Sequence, residues 1–185
     1  DHINAKHLKR RFARHNLSIL KRYIKSGDLL EIGPGSGHFL NEAKYNGFNT
    51  AGIEFNKIQA DYINNNNNIL CSTKPLKENF FKDRKFDVIY HCDIISHFYD
   101  PIREFYYMNK YMKMNGIMML ETGNLPDVKN KYLPIYDLFQ YPDHLFFFGI
   151  HNINKLCMET GFEVIKTYNY SILYELFVGK ILVFT

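Results

Sequence analysis

Tryptophan is absent from this chain, and its 16% aromatic content rests on 14 tyrosines and 16 phenylalanines alone. Only three cysteines occur, Cys71, Cys92 and Cys157, an odd number with no CxxC pair. That scarcity argues against a disulfide framework or a structural metal and suits a reducing interior. No apolar run approaches the ~20 residues that a membrane-spanning helix needs. The N-terminal stretch is polar and basic, without the apolar core of a secretory signal, so a cytoplasmic address is expected. Acid is almost missing from the first 25 positions, where eight Lys and Arg stand against Asp1 alone. That segment carries about +7 within a total of +4, which leaves the remainder slightly acidic. The asymmetry argues against nucleic-acid binding by the whole domain and confines any anionic partner to the N-terminal segment.

What is present suits one folded domain. With 185 residues, 46% of them hydrophobic and 23% charged, the chain can bury a substantial core. The asparagine run from Asn64 to Asn68 looks like coding bias, not function. Residues 4–25 read as a helix, with Leu8, Phe12, Ile19, Leu20, Tyr23 and Ile24 recurring at roughly helical spacing and Gly27 as its stop. Its cationic face is either a solvated edge or a surface for an anionic substrate, carrier or lipid headgroup.

From Asp28 the pattern alternates. Strands are expected at 28–33, 50–54, 69–72, 86–91 and 116–121. Helices are expected at 36–46, 57–65 and from Pro101 to about Lys113, the last opened by Asp100-Pro101. Strands alternating with helices imply a doubly wound α/β domain with a parallel sheet. Residues 123–150 break the rhythm, with three prolines and a load of aromatics that includes Tyr132, Tyr136, Phe139, Tyr141 and Phe146–Phe148. Such a stretch is either a lid over an acceptor or core covering the sheet edge. A helix over 151–160 and closing strands at 163–168 and 180–184 follow, joined through 170–179. The expected organisation is a basic helix (1–26), a cofactor core (28–122), the aromatic insertion and a C-terminal segment (151–185), with no repeat.

The loop Gly33-Pro34-Gly35-Ser36-Gly37 lies between the first strand and the first helix of that alternation. Glycine there permits positive φ and close ligand approach, and the helix N-terminus favours an anionic group. The dinucleotide fingerprint needs G-x-G-x-x-G, but the third glycine here is one residue early and His38 holds its place. A pyrophosphate is thus disfavoured, and a nicotinamide-dependent oxidoreductase with it. Glu54 ends the second strand 19 residues after Gly35, where a carboxylate can accept from two ribose hydroxyls.

Glu31-Ile32-Gly33-Pro34-Gly35-Ser36-Gly37 with Gly52-Ile53-Glu54 resembles the first two motifs of Rossmann-like (class I) S-adenosylmethionine-dependent methyltransferases. The resemblance continues through residues 87–101, 113–122, 143–148 and 158–164, in order. By eye it is nearest to small-molecule enzymes resembling ubiquinone-pathway O-methyltransferases. It implies a seven-stranded, mostly parallel sheet with the last strand antiparallel and helices on both faces. It also implies S-adenosylmethionine as cofactor, with S-adenosylhomocysteine as product. By resemblance, Glu31 lies near the cofactor's amino group, and Gly33, Pro34, Gly35, Ser36 and Gly37 face its methionine. Glu54 holds the ribose, while Phe55, Asn56 and Ser72 border the adenine. His91, Cys92, Asp93 and His97 complete the set, with Asp93 and His97 beside the sulfonium. Two departures stand out: Cys71-Ser72 replaces the acid that many members carry after the third strand, and Ser96 replaces the acid before His97.

Methyl transfer from a sulfonium is an in-line displacement, so placing the reacting atoms is the protein's main task. A neutral oxygen or nitrogen acceptor needs a base, and histidine is the usual one. His97 and His144 rank first, each against a purely structural role, and His38 is expected to be exposed. Dispersed acids give no metal site. The expectation is O- or N-methylation of a small-molecule acceptor, anionic or aromatic in character. The alternative is a non-catalytic cofactor-binding subunit. A base-methylating enzyme of nucleic acid is disfavoured because Cys92-Asp93-Ile94-Ile95 lacks the Asn/Asp-Pro-Pro-aromatic motif. Oligomeric state stays open.

Overall fold

A computed structural model of the chain describes residues 2–82, 84–127, 144–170 and 179–184. Most of the aromatic insertion, including Tyr132, Tyr136, Phe139 and Tyr141, and the connection before the last strand lie outside the described residues. The chain gathers into two compact units, residues 1–90 with 111–117, and 91–110 with 118–185.

The first unit starts with α1 (His2–Leu20). Ala13, Asn16, Leu17 and Leu20 are buried at helical spacing, while Arg10 is half-buried and Arg11 and Arg14 are exposed. The helix ends at Leu20, earlier than the periodicity suggests, and a turn carries the chain through Tyr23. Gly27 does not stop it. Gly27 instead opens β1 (Gly27–Ile32) at φ 138°, where an added Cβ would stand 2.6 Å from the Asp87 carboxylate. In β1, four consecutive residues, Leu29 to Ile32, are buried, the pattern of a strand covered on both faces.

Crossover helices α2 (His38–Tyr45) and α3 (Lys57–Asn67) link β1 to β2 (Phe48–Ile53) and β3 (Leu70–Ser72), and both strand pairs are parallel. In α2, Phe39, Leu40 and Ala43 turn inward, and Phe39 stacks on Tyr90 with ring centroids 3.8 Å apart. Tyr90 belongs to β4 (Phe86–Cys92), and its hydroxyl accepts from Asn16 Nδ2 at 2.8 Å. Helix α1 is fastened to α2 by Glu42, which accepts from Arg10 (3.2 Å) and Arg14 (3.0 Å). Beneath the strands, Lys113 Nζ bridges Asp28 (3.0 Å) and Asp87 (2.8 Å), and Arg84 also reaches Asp28.

In the second unit, α4 (Pro101–Tyr111) starts where the Asp100 carboxylate accepts from the Arg103 backbone N–H at 3.0 Å. Phe105 and Met108 of that helix are fully buried, as are Met118, Met119 and Leu120 of β5 (Met112–Gly123). Helix α5 (Ile150–Glu159) precedes β6 (Val164–Tyr170) and β7 (Gly179–Phe184). The last two strands pair antiparallel with each other, and β7 pairs antiparallel with β5. Strand order within the first unit runs β3-β2-β1, and within the second β5-β7-β6. Strand β5 begins at Met112, directly after α4, not at Gly116 as the pattern suggests. No helix among the described residues is long and apolar enough to cross a membrane.

Candidate functional site

In the first unit the site grows from the turn after β1. Gly33, Gly35 and Gly37 all have left-handed backbone, with φ of 71°, 55° and 72°. A Cβ at Gly35 would meet nothing within 4 Å, so the loop is open there. At Gly37 a Cβ would lie 3.0 Å from both Ile63 and Asn67, so that glycine serves packing. Gly52 of β2 has Cys71, Leu40 and Pro34 within 3.3 Å of its Cβ position and lets the loop press on the strand.

Glu54 organises the loop's open face. Its Oε2 accepts from the Gly35 N–H and its Oε1 from the Asn56 N–H, both at 2.9 Å. Asn56 caps α3 by accepting from Ile58 and Gln59, and Phe55, between Glu54 and Asn56, is 66% exposed. Ser72 is buried, and its hydroxyl accepts from the Lys74 N–H at 2.9 Å.

Glu31 is the anomaly. Its carboxyl is wholly enclosed, and Oε2 has no hydrogen-bond partner among the described residues. Burial pushes its pKa up to about 8, and the Glu54 charge adds to the rise against a backbone hydrogen bond from Leu40. A protonated acid with an unsatisfied oxygen suits a ligand that brings a cation.

In the second unit, Asp93 follows β4 with a left-handed φ of 52°, its N–H donating to Glu121 O at 2.9 Å. The next turn, Ile95–His97, presents His97, whose ring lies 4.9 Å from that of His144 at an interplanar angle of 74°. One backbone bond brings this about: the Leu145 N–H donates to Ser96 O at 2.8 Å. Partial desolvation raises the Asp93 carboxyl above its ordinary range, and positive charge on His144 and His97 pulls it back. Leu145, Phe146 and Phe147 extend from His144 as an exposed apolar patch.

The structure thus gathers Glu31, Gly33–Gly37, Glu54, Phe55, Asn56 and Ser72 around one loop of the first unit. It brings Asp93, His97 and His144 together in the second. His91 differs from expectation: its ring is fully buried between Phe98 and Phe105, at 6.1 and 6.0 Å, and offers no surface to a ligand. Both its nitrogens lack partners among the described residues, and burial drives its pKa down to about 3. Cys92 is half-buried, with Sγ 4.0 Å from the Asp93 carboxylate. His38 is half-buried, not exposed. Sequence reading missed Asn124, a buried amide after β5 whose Oδ1 is unpartnered among the described residues; only the polar run Glu121-Thr122 before it hinted at a non-core end. Among the described residues no group of three or more His, Cys, Asp or Glu could hold a metal ion.

Comparison with known proteins agrees with this geometry. A methyltransferase-domain family profile matches residues 3–167. No curated protein matches the chain. Among solved structures, an S-adenosylmethionine-dependent methyltransferase from Clostridium acetobutylicum superposes with a TM-score of 0.71 at 12% identity, covering 96% of this chain and 90% of that one. The PH0226 protein of Pyrococcus horikoshii gives 0.72 at 18% identity, covering 95% and 90%. Magnesium protoporphyrin IX methyltransferase from Synechocystis, crystallised with S-adenosylmethionine, gives 0.66 at 10% identity, covering 98% and 79%. The profile spans nearly the whole chain, so this chain belongs to the class I S-adenosylmethionine-dependent methyltransferases, with their Rossmann-like α/β fold and mostly parallel sheet.

Proposed function

We propose that this methyltransferase acts on an oxygen or nitrogen of a small-molecule acceptor, and that His97 and His144 take up the acceptor's proton. The observation that carries the reading is the contact of these two rings, 47 positions apart in the chain, at 4.9 Å beside Asp93. A proton arriving on either imidazole gains from the Asp93 carboxylate, whose charge is coupled to both. The exposed Leu145–Phe147 patch suits an acceptor with an apolar or aromatic face.

The residues of the first unit fit the cofactor. The orphaned Oε2 of Glu31 suits its amino group, and the open space at Gly35 leaves room for backbone approach. Gly33, Pro34, Ser36 and Gly37 would flank the methionine portion. Each Glu54 oxygen has one backbone partner and keeps a lone pair for a ribose hydroxyl. Phe55 offers an exposed ring to the adenine, and the Ser72 hydroxyl keeps its proton to donate. When bound, the cofactor supplies a methyl group already activated by a sulfonium. His91 contributes packing in this reading, while Cys92 and Asp93 shape the turn that carries His97.

The same proposal takes the strands as one continuous seven-stranded sheet with helices on both faces, and it includes a cytoplasmic address and no nucleic-acid partner. Methyl-labelled cofactor incubated with panels of phenols, carboxylates and amines tests it. Transfer to one class is expected, with His97→Ala and His144→Ala each lowering kcat by about 10²–10⁴. S-adenosylhomocysteine affinity should change less than about twofold in both. Cofactor binding without transfer to any class would overturn the acceptor assignment.

A further inference from the structure

The first unit holds a cleft of about 330 Å³ that contains neither Glu31, Glu54, Gly33 nor Gly35. Its walls come from α1, α2 and α3, and Ser36 is its one residue among those assigned to the cofactor. The size is that of a small-ligand site. We propose that this cleft binds a small polyhydroxylated oxyanion, of the size and chemistry of a sugar phosphate, apart from the cofactor.

Three features point there. First, polar side chains without work converge on it: among the described residues, those of Asn41, Asn66, Tyr45 and Tyr62 make no hydrogen bond. Amide and phenol groups of this kind donate to and accept from hydroxyls. Tyr45 and Tyr62, 82% and 47% exposed, add ring faces on which a sugar's C–H edges can rest. Second, Asn67 presents an Nδ2 that is buried and, among the described residues, unpartnered. It sits 3.0 Å from the Cβ position of Gly37, so the glycine leaves it space. A buried donor without a partner carries an uncompensated desolvation penalty, which an electron-rich oxygen relieves.

Third, the charge is cationic. Glu42, the one acid in the wall, is already claimed by Arg10 and Arg14, both from the acid-free α1. Lys44 spends two hydrogen bonds on the carbonyls of Asn67 and Asn68, at 3.0 and 2.9 Å, and keeps its charge. Arg10 and Lys44 in the wall, with Arg14 outside it on Glu42, outweigh one carboxylate and favour an anion, and the exposed Lys9 and Arg11 on the same helix reinforce the field.

Calorimetry on the full chain with ribose 5-phosphate, ribose and inorganic phosphate tests the proposal. Ribose 5-phosphate should bind at least about tenfold more tightly than either half. Asn41→Asp and Asn66→Asp, which put a negative charge on a half-buried and an exposed wall position, should weaken it about tenfold. Both variants should keep S-adenosylhomocysteine affinity within about twofold, which also shows that they fold. No binding of ribose 5-phosphate at millimolar concentration overturns the proposal. So does equal binding of ribose, binding indifferent to both variants, or loss of binding when S-adenosylhomocysteine saturates the chain.

Discussion

Cofactor binding should expel a proton from Glu31. With its pKa raised to about 8, the buried carboxyl is roughly 90% protonated at pH 7 in the free chain. A cationic amino group seated against the orphaned Oε2 favours the ionised form and drives the pKa back toward the ordinary carboxylate range. About 0.9 proton should therefore leave per S-adenosylhomocysteine bound at pH 7, and the apparent affinity should rise about ninefold between pH 6 and pH 7. Calorimetry in buffers of different ionisation enthalpy reads the release directly. Glu31→Gln removes both the release and the pH dependence. The same shift has a stability side. A carboxyl whose folded pKa exceeds its unfolded 4.5 destabilises the fold progressively as pH rises from about 4.5 to 8, by about 3 kcal/mol at pH 7. Glu31→Gln should accordingly raise the melting temperature at pH 7 while weakening the cofactor. Buffer-independent heats, or a variant that keeps the wild-type pH dependence, would refute this reasoning.

The two central loop glycines should separate stability from binding. Gly37→Ala combines a φ of 72° with contacts at 3.0 Å and should cost about 1–3 kcal/mol in denaturant unfolding. Gly35→Ala faces open space, so it should cost less stability and more S-adenosylhomocysteine affinity. Two acids should govern the acid limb. Burial works to raise Asp28 and Glu42, but hydrogen bonds from Lys113, Arg84 and Asn49 to the former, and from Arg14 and Arg10 to the latter, hold both below their ordinary values. Their contribution is present above those values of 3.8 and 4.5 and fades as pH falls through the folded pKa. Asp28→Asn and Glu42→Gln should flatten the loss of melting temperature below pH 4.5. His91→Phe removes two unpartnered buried nitrogens and should stabilise the chain by about 1–2 kcal/mol with S-adenosylhomocysteine affinity unchanged. A drop in that affinity would return His91 to the cofactor site.

Local chemistry made much of this readable in advance. Glycine at 33, 35 and 37 and a carboxylate 19 residues on are short-range signals, and the structure joins them by one hydrogen bond from Gly35 to Glu54. The strands were legible because β-branched and leucine runs between turn residues have few alternatives. Boundaries failed where distant partners decide. Lys113 reads as the end of a helix but is drawn into β5, where Asp28 and Asp87 hold it from 85 and 26 positions away. Gly27 reads as a helix stop because its true constraint, the Asp87 carboxylate, is 60 positions off. His97 and His144 could be ranked singly as bases, but their contact depends on the Ser96–Leu145 bond, which no periodicity encodes. The burial of His91 and the cleft beside α1 are likewise products of packing.

Every role assigned to the first unit requires that the Gly33–Gly37 loop and Glu54 form a site for the methyl donor. Calorimetric titration of the folded chain with S-adenosylhomocysteine tests for that site. One molecule per chain is predicted, with binding weakened at least about tenfold by Glu54→Ala, because the carboxylate that orders the Gly35 and Asn56 amides is lost. A folded protein that takes up no S-adenosylhomocysteine, or binds it equally well without Glu54, would mean that the loop is not the donor site.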